Sequence, residues 1–330
     1  MRCPYHGWTW NLDGTLKRVP CRWDFPYVKD EQFALPEVKV GLWGGFVFIN
    51  MDDRAAPLKE YLGPLVEHFH GWPLQDRYVA MHVQKELPCN WKTAAEAFME
   101  NYHTQETHPQ IMAANGDANT QYDVLDRHLT RFYAAFGTTS PNLDGPPDEQ
   151  TLLDEMLLGD RSLIAEKLIV PEGMSARRVM ADYLRAAIGA TYGSDLSHAT
   201  DAEMIDTIEY TLFPNMFLFP GYSIPMIYRF RPLGTDPEKS LFDLMFLRPV
   251  PEWKERQAPA QPVRIGVNES HATVPGMDPG MAHVYDQDTN NLAWQQEGFH
   301  SSKKSGQTLG NYQEVRIRAL HQTLDEYLNS

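Results

Sequence analysis

The chain has 330 residues, 42% hydrophobic and 22% charged, with a formal net charge of -15. That length supports one large core or two modest ones, and the acidic balance argues against a nucleic-acid partner, because phosphate binding rests on clustered Lys and Arg. No apolar run approaches the roughly 18 residues of a membrane helix, the N-terminus lacks a signal-peptide pattern, and three cysteines give no disulfide framework, so cytoplasm is the expected compartment.

The chain opens on Cys3-Pro4-Tyr5-His6-Gly7-Trp8, in which a thiol and an imidazole separated by two residues could ligate one edge of a metal site. Thr9 to Leu12 and Thr15-Leu16 flank Asp13-Gly14, the chemistry of a tight hairpin. Between Met1 and Trp23, Arg2, Lys17, Arg18 and Arg22 face only Asp13, a basic segment that either docks an acidic carrier or is a solvated turn. Leu42 to Asn50 is one apolar, β-prone run. Pro57 to Phe69, capped by Asp52 or Asp53, carries Leu58, Tyr61, Leu62, Leu65 and Phe69 at helical spacing. Arg77 to Glu86 alternates as a strand.

Asn90 to Pro109 is predicted as the central helix, because Ala94, Ala95, Glu96, Ala97, Met99 and Glu100 are strong helix formers. Glu100 and His103 are three apart, so the carboxylate can hold one imidazole nitrogen. His103 and His108 are five apart, about 140° around a regular helix, so one metal takes both only where the helix unwinds. Pro109 disfavours α geometry at His108 and supplies that break.

Gln121 to Phe136 holds one or two strands. About 138–200, a Pro- and Gly-rich loop leads into helices, an insertion that could form a lid or a peripheral helical pair. Thr207 to Pro220, Tyr222 to Pro232 and Lys239 to Val250 are three strand-like runs. Their Met216, Phe217, Phe219, Met226, Tyr228, Phe242, Met245 and Phe246 are mostly core, with a few left to line an apolar pocket. Pro251 to Pro262 is a polar connection, and two helices close the chain, about Pro279 to His300 and Asn311 to Leu328.

Cys3 to Trp8 resembles the second half of a Rieske cluster motif, and Glu100-Asn101-Tyr102-His103 with His108 resembles the mononuclear-iron motif of the Rieske non-haem iron oxygenases, the large (alpha) subunits of aromatic ring-hydroxylating dioxygenases. Gly44 to Asn50, Asn90-Trp91-Lys92, Leu212 to Asn215, and Asp288 with Asn291, Gln295 and Gly298 extend the resemblance along nearly the whole chain. It implies an α+β fold: the remnant of a small all-β Rieske [2Fe-2S] domain at 1–50, then a catalytic domain at 51–330 with a central antiparallel sheet flanked by helices, helix-grip or START-like. It also implies a ferrous ion held by His103, His108 and Asp288, with Asp286 as fallback for the carboxylate, and a Rieske cluster bound by Cys3 and His6. The family's upstream Cys-x-His is missing, so the resemblance implies an N-terminally truncated copy that does not hold the cluster normally.

Two histidines and one carboxylate on one face of iron leave positions for dioxygen and substrate. The resemblance implies electrons from NAD(P)H through a reductase or ferredoxin, oxygen insertion into an apolar, aromatic substrate, a homotrimer or α3β3 assembly with a small beta subunit, and Glu100 bridging His103 to His6 of a neighbour. The alternatives are a zinc hydrolase on the same triad, a binding module with a dead site, and Asp286 or Asp288 serving only as a helix cap.

Overall fold

The computed structural model describes residues 1–157, 167–251 and 253–329. Its contacts divide the chain into two compact units, Met1–Tyr61 and Leu62–Ser330.

In the first unit, β1 (Thr9–Trp10) and β2 (Leu16–Arg18) form the expected hairpin. Asp13 Oδ1 accepts from the Thr15 N–H at 2.9 Å, and Gly14 takes φ +85°. The run Leu42 to Asn50 is not one strand but part of a second hairpin, β3 (Lys39–Trp43) against β4 (Phe46–Asn50). Gly44 and Gly45, at φ +60° and +84°, make the two-residue turn that reverses it.

The predicted helix Pro57 to Phe69 is two short ones, α1 (Leu58–Leu62) and α2 (Leu65–His68), interrupted where Gly63 at φ +52° and Pro64 intervene. Then follow β5 (Arg77–Leu87), α3 (Trp91–Glu96), α4 (Thr104–Thr107), β6 (Gln121–Asp126) and β7 (Leu129–Ala134). Of the insertion, α5 (Glu149–Leu157) and α6 (Ala176–Tyr192) are described, followed by α7 (Asp201–Ile205); the expectation for 158–166 lies outside the described residues. The three predicted strand runs are four strands, β8 (Thr207–Leu212), β9 (Met216–Phe219), β10 (Met226–Leu233) and β11 (Asp236–Pro249), because Phe213-Pro214-Asn215 breaks the first. β12 (Val263–Ile265), α8 (Pro279–Ser301) and α9 (Val315–Leu328) complete the order.

Strands β5 to β12 form an eight-stranded sheet in the order β12-β5-β11-β10-β9-β8-β7-β6. It is mixed rather than antiparallel, since β12, which the sequence left inside a loop region, runs parallel to β5. Alternate residues of the sheet, Val83, Tyr228, Phe230, Phe242 and Leu244, bury one face against Ala94, Ala95 and Phe98 beside α3 and Tyr285 and Leu292 of α8. Phe98 lies 5.3 to 5.6 Å, centroid to centroid, from Tyr228, Phe230 and Phe242. Phe217, Phe219 and Met226 join this core as well. Helices α5, α6 and α7 bury a separate cluster around Leu153, Met156, Met180, Leu184 and Met204.

Candidate metal centre

The site starts from Asn90, whose side chain accepts from the Lys92 N–H at 2.9 Å and so caps α3. Its own N–H donates to Gln296 of α8 at 2.9 Å. The family-like Gln295 is exposed instead, because helical phase turns its neighbour inward.

The predicted long helix does not form. It stops at Glu96 despite good propensities through Glu100, because tertiary partners and a side chain take over the backbone groups. The Glu100 carboxylate accepts from the Tyr102 N–H and, at 2.9 Å, from the His103 N–H, while the Asn101 N–H donates to Tyr122 Oη at 2.9 Å. The single turn α4 then separates the two histidines, His103 as its first flanking residue and His108 as its last. His108 sits at φ -127° and ψ 51°, the non-helical geometry expected before Pro109. The ring centroids are 5.3 Å apart.

Asp288 reaches this pair from α8, with Oδ1 2.7 Å from His108 Nε2 and 3.5 Å from His103 Nε2. Three donor atoms, one from each residue, lie within 4.8 Å of one another. Neighbouring donors on one metal at bonds of about 2.1 Å stand about 3 Å apart, so the two contacts bracket the spacing that an ion needs. Asp278, not Asp286 or Asp288, caps α8, so both acids lie inside the helix rather than at its start. Asp286 is engaged by Ser270 Oγ at 2.5 Å and His271 Nδ1 at 2.7 Å.

The remaining imidazole nitrogens are both held. His103 Nδ1 lies 2.7 Å from Glu100 Oε1, and His108 Nδ1 lies 2.9 Å from Gln287 Oε1, which also accepts from Gln110 at 2.7 Å. A carboxylate and an amide oxygen only accept, so each Nδ1 carries hydrogen and each Nε2 lone pair is left for a metal. Burial opposes charge on His103, yet Glu100 and Asp288 outweigh it and lift its pKa to about 9. The site favours positive charge where the three donors meet, and its donor set fits ferrous iron. Asn291 Nδ2 donates to Thr107 Oγ1 at 3.1 Å, a further tie between α8 and α4.

Cys3 and His6 lie in the first unit on a loop closed by the Gly7 N–H to Cys3 O bond at 3.1 Å and the Cys3 N–H to Trp8 O bond at 2.8 Å. Cys3 is half-buried with a free thiol, and His6 is exposed. Cys21 is the only other thiol in residues 1–61, which contain no second histidine, so the Cys-x-x-His pair of Cys3 and His6 stands alone there. Gln287, Tyr122 and Asn101 carried no sequence signal of their roles. A groove of about 740 Å³, lined by Leu309, Arg318, His321, Gln322 and Asp325, involves other residues and none of the triad.

A helical turn and a second helix bring together two histidines and one carboxylate beside a large mixed sheet, a donor set of the kind that non-haem iron oxygenases use. Residues 66–330 match the ring hydroxylating alpha subunit (catalytic domain) family, and the chain belongs to that family. It is 34% identical over 110 residues to the carnitine monooxygenase oxygenase subunit of Acinetobacter baumannii, a stretch covering 32% of this chain and 29% of that protein. It is 27% identical over 191 residues to the salicylate 5-hydroxylase large oxygenase component of Ralstonia sp, covering 52% of this chain and 44% of that one. These matched stretches span less than half the length of either relative. Among solved structures, a quaternary ammonium Rieske monooxygenase in complex with L-carnitine matches with TM-score 0.55 and 17% identity, over 99% of this chain and 71% of that one. A naphthalene 1,2-dioxygenase mutant bound to phenanthrene matches with TM-score 0.55 and 16% identity, over 100% and 73%. Both are likenesses of fold.

Proposed function

We propose that the chain is the catalytic part of a Rieske non-haem iron oxygenase, an oxidoreductase in which His103, His108 and Asp288 hold one ferrous ion. The observation that carries this reading is the arrival of buried Asp288 at both Nε2 atoms while an acceptor holds each Nδ1. When bound, such an ion supplies reductive activation of dioxygen, fed by electrons from NAD(P)H through a reductase or ferredoxin and a Rieske cluster. Toward that cluster Cys3 and His6 offer two donors of the four it takes.

The chain's own residues do the positioning. Glu100 fixes the His103 ring and caps the turn that presents it, and Gln287 fixes His108. Asp288 completes one face with a single negative charge, and the burial of His108 and Asp288 keeps bulk water from that side. Glu100 Oε2 already takes two amides, but Oε1 accepts from His103 Nδ1 alone and retains room for a further donor, which supports a bridge to His6 of a second copy in a trimeric assembly, with or without a small beta subunit. Fold likeness to the two oxygenases above supports a helix-grip catalytic domain and, at 1–50, a Rieske remnant.

The substrate is a small organic molecule oxidised at carbon, aromatic on the first reading. The relatives named for carnitine, glycine betaine and choline favour a second one, a quaternary ammonium compound. No helix among the described residues is long and apolar enough to cross a membrane.

Metal analysis of the anaerobically reconstituted chain decides between iron oxygenase and zinc hydrolase, and oxygen consumption by a reductase-coupled, cluster-containing version against aromatic and quaternary ammonium panels decides the substrate class. One ferrous ion per chain and substrate-dependent oxygen uptake are expected. Stoichiometric zinc that iron cannot replace, with hydrolysis and no oxygen uptake, would sink the proposal.

A further inference from the structure

Building on the reading of His103, His108 and Asp288 as metal ligands, and going beyond it, we propose that Arg316 is a positioning residue for the metal centre, holding the turn that carries Glu100 and His103 through the carbonyl of Met99. Arg316 lies in the first turn of α9 and is fully buried, with no exposed surface. Its neighbours on α9, Ile317 and Leu320, are apolar core residues, so a leucine would satisfy the packing there without the desolvation that a buried guanidinium costs.

The guanidinium is partnered on every side. Nε donates to Thr130 Oγ1 on β7 at 3.1 Å, and Nη2 donates to Glu209 Oε1 and Thr211 Oγ1 on β8, each at 2.5 Å. The Phe132 ring lies 5.0 Å away. Those contacts tie α9 to the sheet. The fourth hydrogen bond is different: Nη1 donates to Met99 O at 2.9 Å.

Met99 is the residue before Glu100, three residues past the end of α3, where no regular helix holds the backbone. Arg316 therefore fixes the entry to the turn. Its exit is fixed by Asn101, whose N–H donates to Tyr122 Oη at 2.9 Å and whose Oδ1 accepts from Thr104 Oγ1 at 2.8 Å. Between these anchors lies Glu100, the residue that orients His103. Without the Met99 anchor, the carboxylate and the imidazole lose their shared frame, and the first histidine no longer meets Asp288 at a fixed distance.

The test uses the full chain and cobalt(II) as an anaerobic probe, read by its ligand-field absorption and by calorimetry, with circular dichroism to measure the folded fraction. Arg316→Met combined with Glu209→Met removes both buried charges together, so neither is stranded. Arg316→Lys keeps a cation for Glu209 but offers one nitrogen where two separate groups are needed. Wild type should bind one cobalt, and both variants should fold yet bind it at least about tenfold more weakly, with an altered spectrum at saturation. Arg316→Lys should fall between wild type and the double variant. Wild-type affinity and spectrum in the folded variants, or weakening that only tracks lost folded protein, would overturn the role of Arg316. Failure of wild type to bind cobalt would instead remove the metal reading itself, and this inference with it.

Discussion

Asp288 Oδ1 lies 2.7 Å from His108 Nε2, although 180 residues separate the two in sequence. The helix α8 and the turn α4 are thereby locked at one point, with His103 as the third corner. Removing the carboxylate leaves two imidazoles without a neutralising charge, so Asp288→Ala should bind ferrous iron at least as poorly as His103→Ala, and a His103→Ala, His108→Ala double variant should bind none. Iron counted per chain after desalting checks this. Full occupancy in the double variant would exclude the triad.

Gln287 is predicted to matter without touching the metal. Its amide oxygen is what leaves His108 with hydrogen on Nδ1 and a lone pair on Nε2. Gln287→Leu, similar in size, should weaken metal binding about 10- to 100-fold while the fold persists. Calorimetric titration of the variant reads this directly, and an unchanged affinity would reduce Gln287 to packing.

Metal binding should depend on pH through His103. Burial works against its protonation, but Glu100 and Asp288 hold the proton until about pH 9. A metal must displace that proton, so affinity should rise about tenfold per pH unit up to about 9 and then level. Titrations in two buffers of different ionisation heat should show about one proton released per metal at pH 7.5. No release would mean that His103 is already neutral there.

A second histidine gives a stability signature instead. His321 of α9 lies 2.7 Å from Glu96 of α3, and that hydrogen bond raises the imidazole pKa. A raised folded value means that the stabilisation is complete below the unfolded value of about 6.5 and is lost as pH rises through the folded one. His321 is partly exposed, so solvent screening keeps the effect within about 1 kcal/mol. The melting difference between wild type and His321→Gln should therefore be larger at pH 6 than at pH 9.5, and the reverse order would contradict the pairing.

Phe98 is the ring through which the end of α3 meets the sheet. Truncating it leaves a void facing Tyr228, Phe230 and Phe242, so Phe98→Ala should cost about 3 to 5 kcal/mol in urea unfolding. A cost under about 1 kcal/mol would show that the aromatic cluster closes over the gap.

Much of the site was legible because its chemistry is written in short spacings. The three residues from Glu100 to His103 and the proline after His108 foretold an oriented imidazole and a local unwinding, and both are present. The helix that should have carried them was not foretold. Ala94 to Glu100 favours continuation residue by residue, but past Glu96 the Phe98 and Met99 amides tighten onto the third residue back, and the Asn101, Tyr102 and His103 amides go to Tyr122 and the Glu100 side chain, pairings that no local propensity holds. The hairpin of β3 and β4 was readable in Gly44-Gly45 but hidden by the unbroken apolar character around it. Strand β12 was hidden for the opposite reason, being three residues after a proline-rich stretch and held chiefly by its partner β5.

The edge where β12 meets β5 also holds Lys85, opposite Ile265 and only 3% exposed. Its ammonium gives hydrogens to the carbonyls of Gly266 and Val267, each at 2.9 Å, and of Glu269. An amine so occupied has no free lone pair and no path to a reagent, so acylating or methylating chemicals that mark surface lysines in the native protein will pass it by. Its labelling becomes a clock for the unzipping of one margin of the sheet. Mass spectrometry of Lys85 against exposed Lys239 at rising denaturant would time that margin's release separately from the collapse of the core.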